Sequence, residues 1–262
     1  MGAEVTKRRL LVGAAFLPLA IYSGLVLSLL CFFQGDRAAA ALLSHRVQYS
    51  AGLSLVCATI ATALSCCVAL PAAYALSRMR FRGRWLADTV LELPILVSPA
   101  ALGALILIFF TNPFGAWFQR HVPLIFAVPG VMAAQFVSVV GLTTRYLRST
   151  FDEVPARYEG VARSLGASPL IAFSTVTLPL ARRGILSALV LTWAKAIGEF
   201  GATITVAGTM AMKTETLPTA IFMSLASADI EGAVVLILLL ILIGFGSLLL
   251  ARSLGKGPHA HD

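Results

Sequence analysis

The segment from Leu147 to Gly184, LRSTFDEVPARYEGVARSLGASPLIAFSTVTLPLARRG, is a sizeable polar interruption in a chain otherwise built from long apolar runs. Its own punctuation makes it structured. Pro155 suits the first turn of a helix, where the missing N–H has no intrahelical partner to lose. Ala156 to Leu165 follows with good helix formers, Gly166 stands where a helix end takes a left-handed residue, and Pro169 discourages continuation. A second apolar stretch, Leu170 to Thr177, leads into Leu178 and Pro179.

On both sides of this segment the chain reads as membrane. Hydrophobic residues make up 58% of the 262 and charged residues only 12%, against about 25% charged in an ordinary soluble domain. About 20 apolar residues cross a bilayer core as a helix, because a helix satisfies its own backbone hydrogen bonds in lipid. Six such stretches are expected, near Leu10 to Phe33, Tyr49 to Leu76, Leu91 to Phe110, Pro123 to Tyr146, Ile185 to Ala207 and Ala233 to Leu250. The fold class is therefore all-α, a polytopic membrane protein of six transmembrane helices. It forms a single domain over 1–262 with its core at about 49–250, a retained first span at 10–33, the polar segment 147–184 between the fourth and fifth spans, and no appended soluble domain.

Basic residues set the orientation. With alternating spans, Lys7, Arg8, Arg9, Arg78, Arg80, Arg82, Arg84, Arg145, Arg148, Arg157, Arg163, Arg182, Arg183, Arg252 and Lys256 share one side, whereas the other receives Arg37, Arg46, Arg120 and Lys213. The excess marks the cytoplasm, so both termini and the 147–184 loop are expected to be cytoplasmic in a cell (inner) membrane.

Several chemistries are excluded. A nucleic-acid binder carries its Lys and Arg on a water-exposed face with aromatics to stack on; here the charge of +8 is scattered between apolar runs. Cys31, Cys57, Cys66 and Cys67 lie in or at the ends of apolar runs without CxxC spacing and read as small buried hydrophobes. The histidines, His45, His121, His259 and His261, fall in loops or the tail, which leaves an intramembrane enzyme without a base or metal cluster in its spans. The chain also has no GxxxxGK[ST] phosphate loop, so any ATP is expected to be hydrolysed elsewhere, and no cofactor bound by this chain is expected.

The loop resembles the cytoplasmic signature of ATP-binding cassette importer permeases: Glu-Ala-Ala, three residues, Gly, nine residues, then Ile-x-Leu-Pro. Aligned on Gly166, the second half matches through Val176, Thr177, Leu178 and Pro179. In the first half Gly160 and Val161 replace the Glu and first Ala, Ala162 matches the second, and Glu159 stands one position early. The resemblance implies a coupling helix, roughly Pro155 to Leu165, that docks on a separate ATPase through Glu159, Gly160, Ala162, Arg163, Leu165, Gly166, Leu178 and Pro179. The alternative is an ordinary basic loop on anionic lipid. A second resemblance, in Trp193 to Thr203, Val206 to Gly208 and Lys213 to Pro218, is to the molybdate, tungstate and sulfate permeases; Phe200 and Thr203, where sulfate members tend to have Tyr and Ser, favour molybdate or tungstate. With the Arg82-Gly83-Arg84 turn these resemblances cover most of the chain from the second span onward.

The fifth span carries its own argument. An ionisable residue inside a membrane helix is disfavoured by about 2.5 to 3.5 kcal/mol on insertion scales and faces a partner or a cavity. Lys195 and Glu199, four apart, share a face and can pair, either as part of a pathway or gate or as a structural ion pair. Gly198, Gly201 and Ala202 let a neighbouring helix approach closely, with a dimer interface as the natural use. Pro94 and Pro99 kink or loosen the third span. Lys195, Glu199, Gly201, Thr203, Lys213 and Thr214 are the candidate translocation or gate residues. Lys213 and Thr214 supply donors suited to an oxyanion near the outer mouth, unless Ala220 to Leu225 only forms a hairpin sealing that face.

These features together imply an importer permease working by alternating access. Its expected partners are a second copy of itself, two cytoplasmic ATPases that hold the ATP and Mg, and an extracytoplasmic binding protein, all at a lipid membrane and without nucleic acid. Sulfate or another anion is the alternative cargo. An ion-coupled secondary transporter would show internal repeats and interrupted helices with midplane charges, and dependence of uptake on ATP separates the two.

Overall fold

The chain, described as a computed structural model, is placed over residues 2–33 and 35–255. The expectations on Lys256, His259 and His261, and on the side chains of Lys7, Arg8, Arg9 and Arg37, lie outside the described residues. Among the described residues the secondary structure is helical, with no strand.

The first helices are α1 (Gly2–Leu29), α2 (Gly35–Leu43) and α3 (His45–Arg78). Among the described residues helix α3 is the first stretch long and apolar enough to cross a membrane. Ser44 caps it by accepting from Val47 N. Its packed face is made of small residues, among them Ala58, Ala61, Ser65, Ala69 and Ala73, all fully buried. Small side chains let backbones close up where no hydrophobic effect drives helices together, and α3 lies along α8 (Val128–Asp152) as the central pair of the bundle. Helix α8 occupies the expected fourth span but buries Gln135, Ser138, Thr143 and Thr144, so it is more polar than the lipid-facing helices.

The expected third span is not straight. Helices α4 (Arg84–Leu91) and α5 (Leu93–Leu96) meet α6 (Pro99–Thr111) at a bend of 113°. Val97 is extended, Ser98 caps α6 by accepting from Ala101 N, and Pro99 occupies the first turn. A proline there has no N–H to lose, so the helix restarts in a new direction. Helix α7 (Pro113–His121) follows and leads to α8.

The fifth span also departs from the expected Ile185 to Ala207. It starts earlier, with α10 (Pro169–Ala172), a π-helical turn over Phe173–Thr177, and α11 (Leu178–Ile197) forming one 29-residue helical stretch. The stretch Leu170 to Thr177, expected as part of the loop, is thus its lower end. Pro179 cannot donate within the ladder, and the wider π turn accommodates the lost bond. The stretch then breaks at Gly198–Phe200 and resumes as α12 (Gly201–Ala207). Finally α13 (Leu217–Ala226), with a capping box between Thr216 and Thr219, packs on α14 (Ile230–Gly255).

Among the described residues three stretches, His45–Arg78, Pro169–Ile197 and Ile230–Leu254, are long and apolar enough to span, and a fourth if the bent pair is counted as one span. From α1 into the 3-10 turn over Leu30–Phe32 that follows it, the apolar portion runs Phe16–Phe32. Its described side chains are exposed, including Phe16, Leu17 and Tyr22, as expected of a surface whose solvent is lipid.

Candidate functional site

Two polar constellations stand out. The first surrounds the loop helix α9 (Arg157–Ser164), which lies inside the expected Pro155 to Leu165. Gly166 ends it with φ 93°, and Ala167 N donates back to Ala162 O, closing the last turn. The face turned outward carries Leu165, 84% exposed, with Val161, Leu170 and the exposed Arg163 nearby in sequence. The inward face carries Glu159, 8% exposed.

Glu159 is held from two directions. Tyr74 Oη donates to Oε2 at 2.8 Å and Arg78 Nε to Oε1 at 2.9 Å, both from the end of α3, and Thr177 Oγ1 donates to Oε1 from the π turn. Arg78 also donates to Val154 O at 2.7 Å. Burial pushes the Glu159 carboxyl up, but the donated hydrogen bonds from Thr177, Arg78 and Tyr74, with the Arg78 charge, outweigh it and hold the carboxyl below its ordinary value. The acid one position early is thus the one facing the bundle; at Gly160 an added Cβ would meet nothing within 4 Å. Around this point Leu147, Phe151, Ala181 and Ile185 form an apolar cluster with Tyr74, Phe173 and Leu178 packed against it. Pro179 is exposed.

From Arg78 the polar contacts continue. Arg78 Nη1 donates to Ser77 Oγ at 3.2 Å, Ser77 Oγ donates to Asp152 at 2.5 Å, Asp152 lies 3.7 Å from Arg148, and Arg148 pairs with Asp88 on α4. Glu92 pairs with Arg145 at 3.4 Å. Only the basic members of these pairs were legible from sequence, and as topology markers. Their partners on other helices carried no signal along the chain.

The second constellation is the break in the fifth span. Lys195 Nζ lies 3.2 Å from Glu199 Oε2, as the i,i+4 spacing predicts. Glu199 also caps the next helix, since its Oε1 accepts from Ala202 N at 3.1 Å and so satisfies an early donor of α12. Glu199 is buried whereas the Lys195 side chain is 49% exposed. Gly201 lies against Pro99, where an added Cβ would stand 2.7 Å from Pro99 Cβ, and Gly103 approaches Ala202 comparably. These small residues therefore serve an approach of α6 to α12 within one chain, while Gly198 is exposed. Thr203 is fully buried with no hydrogen-bond partner for its hydroxyl.

The candidates in the loop between α12 and α13 separate from this cluster. Thr214 is fully buried and its hydroxyl accepts from Met210 N, tying down the 210–214 turn. Lys213 is exposed, and its carbonyl accepts from Tyr49 Oη at 3.1 Å. Glu215, 1% exposed, takes two hydrogen bonds from Arg46, at 2.8 and 2.6 Å. Among the described residues no group of His, Cys, Asp and Glu is arranged to hold a metal ion, and the cysteines are free.

A bundle of apolar helices, interrupted by a charged break and carrying an anchored external helix, defines an integral membrane transport subunit. Residues 65–258 match the binding-protein-dependent transport system inner membrane component family, and the chain belongs to that family. It is a permease subunit of an ATP-binding cassette transporter and not an enzyme. It is 35% identical over 241 residues to a Haloferax volcanii protein named "probable molybdenum ABC transporter permease protein", covering 92% of this chain and 88% of that one. It is 37% identical over 169 residues to the sulfate transport system permease protein CysW of Synechocystis, covering 63% and 61%. In fold it is similar to a bacterial alginate ABC transporter solved in complex with an alginate pentasaccharide-bound periplasmic protein, with TM-score 0.75 at 16% identity over 97% of this chain and 98% of that one.

Proposed function

We propose that this chain is the membrane permease of an importer for molybdate or tungstate, with both termini and α9 on the cytoplasmic side, six spans, and a single transmembrane domain. Two copies enclose the path, because the six helices of one chain leave little room for a gated route for a hydrated anion. Two ATPases hold ATP and Mg and receive α9, and an extracytoplasmic protein delivers the anion.

The observation that carries this reading is the two-faced helix α9. Its inner face is fixed to the bundle through Glu159, and its outer face offers Leu165, 84% exposed, with Arg163 and Gly166 beside it. A helix that is rigidly tied on one face and bare on the other suits a partner that must push on the bundle. Within the spans, Lys195 suits a passing dianion, and Glu199 and Gly201 shape the break beside it. Thr203 contributes an unpartnered hydroxyl near that break in sequence, and Lys213 stands at the outer mouth. Thr214 serves the local turn instead of an anion.

Proteoliposomes holding the permease, its ATPase and its binding protein provide the test. Molybdate uptake that requires ATP and outcompetes sulfate is expected. Uptake that follows an ion gradient without ATP would refute the importer reading. Preferential uptake of sulfate would retain it and reassign the cargo, in line with the similarity to CysW.

A further inference from the structure

Helix α4 is unusual in having no buried residue at all. An ordinary bundle helix is held by an apolar stripe against its neighbours. Here the specific side-chain ties of α4 to the bundle are ion pairs, Asp88 to Arg148 of α8 and the Glu92–Arg145 pair just beyond its end, beside a close backbone packing of Leu91 on Gly141. Arg148 is itself joined through Asp152 and Ser77 to Arg78, and Arg78 to Glu159 on α9.

This chain of contacts has two informative ends. One is α9, the helix with a bare outer face. The other is the arm before the 113° bend, beyond which α6 is packed on α12 through Gly103 and Gly201. Helix α12 is the element capped by Glu199, the partner of Lys195. A displacement of α9 therefore has a contiguous polar route to the arm of a bent span, and the arm has no fully buried side chain to anchor it against being carried along. A contiguous network of this kind carries coupling between distant sites when it ends on an element able to take two arrangements.

We propose that Asp88 and Arg148 are positioning residues that make the arm α4 follow α9, so that movement of the docked loop changes the bend and reaches the Lys195–Glu199 break. This rests on the docking of α9 on the ATPase proposed above. Removing Asp88 leaves docking and hydrolysis intact and uncouples them from translocation.

The experiment uses the complete reconstituted transporter and reads molybdate carried per ATP hydrolysed, together with ATPase co-purification. With Asp88→Asn, the ATPase stays bound and hydrolysis is retained, while molybdate per ATP falls at least about twofold, the lower end of what contacting pairs deliver. Arg148→Gln does the same, the double variant is no worse than either single one, and Asp88→Glu restores coupling. Wild-type molybdate per ATP in Asp88→Asn overturns the proposal. So does a proportional fall of uptake and hydrolysis in both the Asn and Glu variants, which marks structural damage. A Leu165→Asp variant that still binds the ATPase fully sinks the docking reading, and is told apart because it is scored by association alone.

Discussion

Tyr74 and Glu159 stand 85 positions apart in the chain, yet the tyrosine hydroxyl donates to the carboxylate at 2.8 Å. That bond, with the parallel one from Arg78, makes α9 an extension of α3 instead of a free loop. Its consequences can be measured.

Glu159→Gln keeps the shape and removes the charge that Arg78 faces in a buried setting. It should lower the stability of the detergent-purified chain by about 1–3 kcal/mol, with Tyr74→Phe milder at about 0.5–1.5 kcal/mol. Because the folded carboxyl titrates below its ordinary value, its contribution is complete above the unfolded glutamate value of about 4.3 and is lost as pH falls through the lowered folded value. Thermal unfolding of wild type and Glu159→Gln should therefore differ at neutral pH and converge in acid. A difference that widens in acid would contradict the assignment.

Gly166 has φ 93° and open space where a Cβ would stand. The cost of a side chain there is conformational, about 1–2 kcal/mol for a left-handed residue. Gly166→Val should abolish stimulation of the ATPase while the chain remains folded and monodisperse, and Gly166→Asn, which tolerates this conformation better, should retain part of it. Unchanged stimulation in the Val variant would show that the turn is not required for coupling.

The Lys195–Glu199 pair is asymmetric, and so are the expected losses. Glu199→Ala removes a buried carboxylate and an early cap of α12, and should lower folded yield and stability by about 1–2 kcal/mol as well as transport. Lys195→Ala leaves Glu199 bonded to Ala202 N but takes away its cation, so it should lower stability by about 1–3 kcal/mol without uncapping α12, and should reduce anion uptake beyond any loss of folded protein. Equal transport by Lys195→Ala and wild type would make the pair purely structural.

Arg46 and Glu215 clamp the loop between α12 and α13 to the start of α3. Arg46→Ala strands a carboxylate that is 1% exposed, for a loss of about 1–3 kcal/mol. Glu215→Ala leaves the half-exposed Arg46 able to reach water and should be milder. Urea or thermal unfolding of both variants checks the order, and a larger loss from Glu215→Ala would contradict it.

Much of this protein is readable along the chain. The apolar runs, the end of α9 at Gly166, the interruption near Pro99 and the Lys195–Glu199 pairing follow from composition and spacing within a turn or two. Other features were displaced. The fifth span begins at Pro169 because the π turn at Phe173–Thr177 absorbs Pro179, and it breaks at Gly198 because Glu199 can cap a new helix. Gly201 and Ala202, expected at a dimer interface, fit α6 of the same chain, since the 113° bend brings Pro99 and Gly103 to them.

Sequence alone determined what each segment is: helical, lipid-compatible, capped here and broken there. Those properties depend on neighbours within a few residues and on the solvent each segment requires. Only the tertiary structure decided what each polar side chain faces. The partners that matter lie far along the chain, 60 positions for Arg148 and Asp88 and 169 for Arg46 and Glu215. Such pairs form only after packing has brought their helices together, so Glu159 on its own segment was one acid among several.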